Sequence, residues 1–425
     1  MRRRSYYYRS GTPTWRRILL LVLGGGFVLF LAVEILLRLV GGRFLTTNPS
    51  LAEYYQLRLA TSQGEPIANS SNYGLKVKFS SPLPYTLVPN QSSPHWHINP
   101  QGMRDKEPLP QVKPANEFRI FLVGGSAAFG QYAPDNESTI GEILEQKLKE
   151  RVKQQRQFPQ NFQPPSLPFF AEQVEAALAL PPRIPDREYR VINSAVPGYT
   201  SQEELTLLAH EILRLQPDYI IVLDGYADLL PPQPLSYQLD LWLRQPGLHF
   251  RQSLGYRLHR LWSQLAIVRL GKRLSTPPPI PQRHYKLAAN WAERWQKYRF
   301  NLKQMGKLAA GKPLLVILQP EITGSGNRSD RQEQQILGQL DQTYQEVIQQ
   351  SLGMLTPATL KMDLPGATVR NYYQIFRQFP QAAFVDPIHF TVAGNQYLAE
   401  QILNEVVRTI QLTPNAPPPN PSLAE

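Results

Sequence analysis

The chain has 425 residues, no cysteine, 40 prolines and a formal net charge of +12. That length can bury a full hydrophobic core, and the absence of cysteine excludes disulfide cross-links. Half of the positive charge comes from the six arginines of residues 1–17, and the rest is spread without a dense basic stripe, which argues against nucleic-acid binding.

The first predicted element is a transmembrane helix at residues 18–40, behind the basic tail of residues 1–17. ILLLVLGGGFVLFLAV, from Ile18 to Val33, contains no charge, and the segment as a whole spans a ~30 Å hydrocarbon core at ~1.5 Å per residue. The alternative is a cleaved signal peptide, but no small-x-small cleavage site follows the apolar run. We favour a retained, single-pass anchor in the plasma (inner) membrane. The positive-inside rule then predicts a cytoplasmic N-terminus and a periplasmic or extracellular body.

Alternating strand and helix signals begin at residue 117. Residues 41–116 are polar and rich in proline, serine and asparagine, and we predict a juxtamembrane region that packs only in part. Short apolar runs predict strands at 119–123, 190–193, 219–224 and 314–319. Helices are predicted at 139–152, 202–215, 286–308, 331–350 and 391–410. This alternation implies an α/β domain with a parallel sheet over residues 117–411.

Three segments depart from the alternation. Residues 154–187 are rich in glutamine and proline and predict a surface insertion. Residues 231–282 predict a second insertion, a helical excursion or lid. Residues 412–425 form a tail too rich in proline to pack, and we predict that it is disordered. SQEE at residues 201–204 is interpreted as a capping box at a helix start.

The first predicted strand ends in a glycine turn, IFLVGGSAAFG, from Ile120 to Gly130. A phosphate-binding loop needs a lysine after its last glycine, and a dinucleotide fingerprint needs G-x-G-x-x-G; the turn has neither. The remaining interpretation is a nucleophilic serine, Ser126, at the carboxyl end of a parallel strand, where such sheets bind ligands. That interpretation requires a histidine and an acid elsewhere in the chain.

His389 is the histidine best placed to serve as the base. In FVDPIHFTVAGNQ, Asp386 precedes His389 by three residues, so a turn can bring the carboxylate to one imidazole nitrogen and leave the other free to accept a proton. The alternative is a turn in which both residues only cap a helix. His95 and His97 lie two apart with no third ligand nearby and do not predict a metal site.

Four blocks occur in order in this chain: GGSAAFG, VINSAVPGYTS, VLDGYAD and VDPIH. Together they resemble the blocks of the SGNH/GDSL hydrolases, which supply a serine, a glycine, an asparagine and a D-x-x-H pair. INPQGMRDKE, with Asn99, Gly102, Arg104 and Glu107, is similar to the entry segment of membrane-anchored bacterial members. The resemblance covers residues 99–410 and implies a flavodoxin-like, doubly wound parallel sheet.

By position, the resemblance implies that Ser126 is the nucleophile, His389 the general base and Asp386 its orienting partner. It also implies that the backbone N–H groups of Ser126 and Gly198 bind the oxyanion. A glycine at 198 lets the backbone approach a substrate closely. The family's asparagine, a further oxyanion donor, is replaced by Ala227 in the GYAD of residues 225–228. Loss of one such donor typically costs about 10²–10³ in rate.

The resemblance therefore implies a membrane-anchored, extracytoplasmic serine esterase for ester groups, including O-acyl groups, of envelope glycans or lipids. One alternative is an O-acyltransferase that passes the acyl group to a sugar hydroxyl. The other is a binding or assembly protein that lost its chemistry with the change to Ala227. The expected partners are an ester-bearing envelope substrate and the membrane, but not nucleic acid. No cofactor and no metal are implied, and the sequence does not indicate an oligomeric state.

Overall fold

The computed structural model describes residues 14–40, 56–57, 75–80, 82–93, 95–229, 291–325, 330–338, 340–354, 364 and 366–417. The chain forms two compact units. The first comprises Met1–Tyr54 and Trp242–Ile280, and the second comprises Tyr55–Leu241 and Pro281–Glu425. The basic tail up to residue 13 and the predicted insertion at 231–282 lie outside the described residues.

The described part of the first unit is one helix, α1 (Thr14–Val40). It contains a span, Ile18–Leu37, with a mean hydropathy of 2.6. Most of its apolar side chains are exposed, whereas a core helix of a soluble protein would bury one face. The helix is thus long and apolar enough to be a membrane anchor or a signal sequence, as the sequence predicts.

The second unit is built on a sheet of five parallel strands: β4 (Glu117–Gly124), β5 (Glu188–Asn193), β6 (Tyr219–Asp224), β7 (Leu314–Leu318) and β8 (Thr368–Asn371). Their order across the sheet is β5-β4-β6-β7-β8. Numbered from the first of the five, this order is 2-1-3-4-5, which is that of flavodoxin-like, doubly wound folds. The predicted fold class is therefore confirmed.

Helices cover both faces of this sheet. Every residue of β6 and β7 is buried, although successive side chains point to opposite faces. Two helix pairs provide the cover: α3 (Ile140–Gln157) packs against α11 (Val392–Ile410), and α5 (Ser201–Leu207) packs against α7 (Trp291–Leu308). The shorter helices are α2 (Ser126–Phe129), α4 (Ala171–Ala179), α6 (Tyr226–Leu229), α8 (Ile322–Ser325), α9 (Arg331–Gly338) and α10 (Gln342–Met354).

Several predicted boundaries differ from the structure. The helix predicted at 331–350 is two helices, α9 and α10, and the short edge strand β8 was not predicted. The capping box begins one residue earlier than predicted, because Thr200 has the extended backbone of an N-cap and pairs with Glu203. The Ser201 hydroxyl instead donates a 2.6 Å hydrogen bond to Asp228. After α5 the helix continues as a π-turn (Leu208–Ile212) and a 3₁₀ turn (Leu213–Leu215).

The segment that precedes the sheet contributes to the core. Strands β1 (Gln56–Leu57), β2 (Leu75–Ser80) and β3 (Leu83–Leu87) form a small antiparallel sheet. Its buried residues include Tyr85 and Leu87, and further along the chain Trp96, Ile98 and Met103 are also buried. The predicted juxtamembrane region at 41–116 therefore packs against the sheet domain from Leu75 onward.

The predicted insertion at 154–187 begins with the last turn of α3 and contains α4; it exposes Phe169 and Phe170 but buries Phe162 and Ile184. The tail contacts this insertion: the Asn415 N–H donates to the Pro165 carbonyl at 2.8 Å, and the Asn415 carbonyl accepts from the Leu167 N–H at 2.9 Å. The predicted disorder is thus wrong for this part of the tail, because these backbone groups find partners. Residues 418–425 lie outside the described residues.

Candidate active site

Ser126 lies at the carboxyl edge of the sheet, where β4 ends and α2 begins. Gly125 is the N-cap residue of α2, and Ser126, its first residue, is half-buried. A Cβ at Gly124 would collide with the backbone of Leu223 in the neighbouring strand β6. The glycine therefore allows the chain to turn sharply between two strands and to present the serine hydroxyl above them.

The structure brings Ser126, His389 and Asp386 into one hydrogen-bonded chain. His389 Nε2 lies 2.7 Å from Ser126 Oγ, and His389 Nδ1 lies 2.6 Å from Asp386 Oδ2. Ser126 and His389 are 263 positions apart in the sequence, so their contact depends entirely on the fold. The order hydroxyl, imidazole, carboxylate is that of a nucleophile, a general base and the group that orients the base.

Asp386 is almost fully buried, and its second oxygen is also occupied. Oδ1 accepts from the backbone N–H groups of Ile388, at 2.9 Å, and His389, at 2.8 Å. Burial alone would raise the pKa of Asp386, but the charge of His389 and the hydrogen bonds from its ring and from the two N–H groups outweigh burial and hold that pKa below its usual value. An ionised carboxylate therefore fixes the imidazole with its proton on Nδ1, which leaves Nε2 to accept a proton from Ser126.

Gly198 lies in the neighbouring turn after β5. The two turns run side by side, since the Val196 N–H donates to the Gly124 carbonyl at 3.0 Å and a Cβ at Gly125 would lie 3.3 Å from the Tyr199 carbonyl. Gly198 has φ of +87°, a backbone conformation that residues with a side chain rarely adopt. A Cβ added at this position would lie 2.5 Å from the Tyr85 hydroxyl. Within the described part of the chain, the N–H groups of Ser126 and Gly198 have no hydrogen-bond partner.

Ala227 lies in the third turn of this edge, after β6, and is half-buried in α6. Two polar side chains of these turns, those of Asn193 and Tyr226, have hydrogen-bond partners within the protein. The Asn193 amide donates to the carbonyls of Ala128, at 3.1 Å, and Phe129, at 3.3 Å. The Tyr226 hydroxyl lies 3.1 Å from that of Tyr344 and is buried. Position 227, where the resemblance implies an asparagine, therefore carries no side-chain donor.

A buried polar network lies beside the Asp386 turn and was not found from the sequence. The Ile322 N–H donates to the Pro387 carbonyl at 2.9 Å, which places Glu321 next to this turn. Glu321 is fully buried and accepts from Thr323 and from the Tyr344 hydroxyl, at 3.0 Å. Burial raises the pKa of Glu321 to about 7, while its hydrogen bonds oppose the rise. No sequence motif marked this glutamate, because its burial depends on strands far apart in the chain.

Two residues next to the serine turn also have roles that the sequence did not assign. Arg104 is buried and reaches the loop that follows α2, and Tyr132 in that loop lies edge-on to His389, with ring centroids 5.1 Å apart. In the sequence, Arg104 belongs only to the INPQGMRDKE motif, and no local pattern distinguishes Tyr132. Both contacts arise from the packing of separate segments.

The other histidines that the structure describes, His95, His97 and His210, take no part in this chain of hydrogen bonds. His95 Nδ1 lies 3.1 Å from the Pro134 carbonyl and His97 Nδ1 lies 3.3 Å from Ser92 Oγ, while His210 is exposed on the π-turn. Among the described residues, no group of histidine and carboxylate side chains has the arrangement of a metal site. His249, His259 and His284 lie outside the described residues.

No protein-family model and no curated protein matches this chain. Several solved structures do match it. The chain is similar to the lipase/acylhydrolase from Enterococcus faecalis, with 15% identity over 70% of this chain and 98% of the other and a TM-score of 0.36. It is also similar to an acetylxylan esterase from Geobacillus stearothermophilus (13% identity, 68% and 94% coverage, TM-score 0.32) and to the acetyl xylan esterase AlAXEase (11%, 68% and 100%, TM-score 0.35). At these values the likeness carries no argument about the chemistry of this chain.

Proposed function

We propose that this protein is a membrane-anchored serine ester hydrolase that acts outside the cytoplasm on ester groups, including O-acyl groups, of envelope glycans or lipids. One observation carries the proposal: the continuous hydrogen-bonded chain from Ser126 through His389 to Asp386, at 2.7 Å and 2.6 Å, placed at the carboxyl edge of a parallel sheet.

The proposed reaction uses the side chains as they stand. Ser126 Oγ attacks the ester carbonyl carbon and its proton passes to His389 Nε2. The oxyanion that forms accepts hydrogen bonds from the Ser126 and Gly198 N–H groups. His389 then gives the proton to the leaving alcohol as its bond to the carbonyl carbon breaks. Water repeats the sequence on the acyl-enzyme, releases the acid and restores the serine.

A fluorophosphonate probe tests for the activated serine on the full-length protein in detergent. We expect stoichiometric labelling at Ser126, lost in Ser126→Ala and in His389→Ala. Ser92 is a matched control, because its hydroxyl also lies beside an imidazole, that of His97 at 3.3 Å, but without a carboxylate behind it. Ser92→Ala should label like the native protein. A folded protein that does not label, and hydrolyses no aryl acetate, would contradict the proposal.

Ala227 favours a second candidate, a binding or assembly protein of this fold, because a weakened oxyanion site lowers reactivity. Absence of labelling together with saturable binding of acylated envelope glycan would support it. An O-acyltransferase is distinguished by its product: with a sugar or polyol acceptor present, the acyl group appears on that acceptor rather than as free acid.

The orientation in the membrane has its own test. The arginines of residues 1–17 favour a cytoplasmic N-terminus, so protease added to cells with a permeabilised outer layer should digest the chain beyond residue 40. A body that is cut only after the inner membrane is broken would reverse the orientation and exclude an envelope substrate.

A further inference from the structure

Arg104 fixes the loop that follows the Ser126 helix at both of its ends. We call residues 130–136 the Tyr132 loop. At the start of the loop, Arg104 Nη1 donates to the carbonyls of Phe129, at 2.9 Å, and Gly130, at 2.8 Å. At the other end, its Nη2 donates to the Asp135 carbonyl at 2.9 Å and its Nε to Asn136 Oδ1 at 3.0 Å. The guanidinium is buried and uses its fixed fork of donors to close the loop.

Tyr132, near the middle of this loop, has an unusual backbone conformation and contacts the base. Its φ of +71° lies in the left-handed region, which few residues other than glycine adopt. Its ring packs against the His389 imidazole at 5.1 Å with an interplanar angle of 80°. Such strain persists only where the surrounding structure imposes it, and at this position it is accompanied by contact with the proposed general base.

We propose that Tyr132 is a positioning residue for His389 and that Arg104 holds it against the imidazole. In the resting protein, His389 has hydrogen bonds at both nitrogens, to Asp386 and to Ser126. The inference rests on the proposed function for what happens next. Once Ser126 Oγ is acylated, it no longer donates to Nε2, so Asp386 and the packed ring of Tyr132 are left to orient the imidazole.

Deacylation should therefore depend on Tyr132 more than acylation does. In deacylation, water attacks the acyl carbon and gives a proton to His389 Nε2. The bond from the carbon to Ser126 Oγ then breaks, and the oxygen takes the proton back from the imidazole. An imidazole that rotates away from the acyl group cannot accept the proton from water, whereas in acylation the serine hydroxyl itself holds the ring.

The test compares Tyr132→Gly, Tyr132→Ala and Tyr132→Phe with an aryl acetate. Glycine removes the ring and relieves the positive φ, so a loss in that variant is not due to backbone strain. We expect kcat to fall tenfold or more in the glycine and alanine variants, with kcat/KM falling less and KM decreasing. Tyr132→Phe keeps the ring and should restore kcat to within about twofold. Equal losses in kcat and kcat/KM, or an unchanged kcat in Tyr132→Gly, would overturn the proposal.

A second measurement does not depend on turnover. In Ser126→Ala protein, which lacks the Nε2 partner as the acyl-enzyme does, nitrogen-15 NMR of labelled histidine reports the tautomer of His389 and the exchange of its Nδ1 proton. Adding Tyr132→Gly should broaden the Nδ1–H signal by exchange, and an unchanged signal would contradict the positioning role. If the native protein hydrolyses no ester, the proposed function fails while this measurement still decides the inference.

Arg104→Lys tests the other half of the proposal. A single ammonium group cannot reach both ends of the Tyr132 loop, so the variant should reproduce the kinetic pattern of Tyr132→Gly. Native kinetics in a folded Arg104→Lys protein would refute the role of Arg104. If this variant does not fold, the NMR signal of His389 in Ser126→Ala/Tyr132→Gly remains the deciding result.

Discussion

Ala227→Asn restores a side-chain amide at the point where the proposed oxyanion site is incomplete. Ala227 follows β6, and residue pairing between the strands aligns Gly124 with Leu223, so the turns that carry Ser126 and Ala227 leave the sheet at the same level. The two described backbone donors are free, and the amide of Asn193 is bound to two carbonyls. Asn193 therefore does not already supply the donor that Ala227→Asn would add.

The expected gain can be bounded. A full, preorganised donor is worth about 2.7–4 kcal/mol, but this donor enters a turn that was not shaped to aim it. We expect kcat to rise at least tenfold, which corresponds to a decrease in activation free energy on the order of 1.4 kcal/mol. The effect should appear in kcat because the donor meets charge that develops only in the transition state.

The assay is steady-state hydrolysis of an aryl acetate, with thermal unfolding to verify that each variant is folded. Ala227→Leu is the matched control, because the leucine side chain has nearly the shape of the asparagine side chain but no N–H group to donate. Leucine should leave kcat unchanged or lower it. The reasoning is refuted if a folded Ala227→Asn protein that still labels at the serine shows no rise in kcat, or if leucine gives the same rise.

The remaining predictions follow from the same geometry. Asp386→Asn should lower kcat by on the order of 10⁴ and His389→Ala should abolish hydrolysis, measured with an aryl acetate; activity indifferent to either would place the chemistry elsewhere. Gly198→Ala should lower kcat tenfold or more, since its φ of +87° is strained for alanine and the new Cβ meets the Tyr85 hydroxyl, and adding Tyr85→Phe should recover part of the loss. Full activity in Gly198→Ala would exclude that N–H as a donor. Burial raises the pKa of Glu321 from 4.5 to about 7, so the folded state keeps a proton that the unfolded state releases; stability therefore falls as pH rises from about 4.5 to about 7 and levels off above that. Glu321→Gln should therefore gain roughly 3 kcal/mol over the native protein in unfolding free energy between about pH 4 and about pH 8, at ~1.36 kcal/mol per pKa unit; parallel pH curves in chemical denaturation would contradict this.

The order of elements and the sheet class could be predicted because they depend on local patterns. The apolar runs of β4, β6 and β7, at 120–123, 219–223 and 314–318, are short and unbroken, as expected of strands buried on both faces. The edge strand β8 was missed, since TVRN is short and half-exposed and contains only one aliphatic residue. The predicted helix at 331–350 was wrong as a single helix because nothing in its apolar periodicity marked the break between α9 and α10.

The proposed active site divides in the same way. Asp386 and His389 lie within one turn, so their hydrogen bond followed from a spacing of three residues in the sequence. Their contact with Ser126 did not follow from sequence spacing, since 263 positions separate the serine from the histidine. The four blocks predicted that these residues form one site, and the tertiary structure showed the hydrogen bond between Ser126 and His389.

By itself, the sequence determined the alternation of strands and helices, the apolar helix α1 and the identity of the chemical groups. These properties depend on side-chain type and on separations of a few residues. The tertiary structure decided which groups are buried and what they contact: Glu321 beside the Asp386 turn, Arg104 across the Tyr132 loop, and the Tyr132 ring against His389. Burial and long-range contact are properties of the packed chain, because they depend on segments that meet only when the sheet has formed.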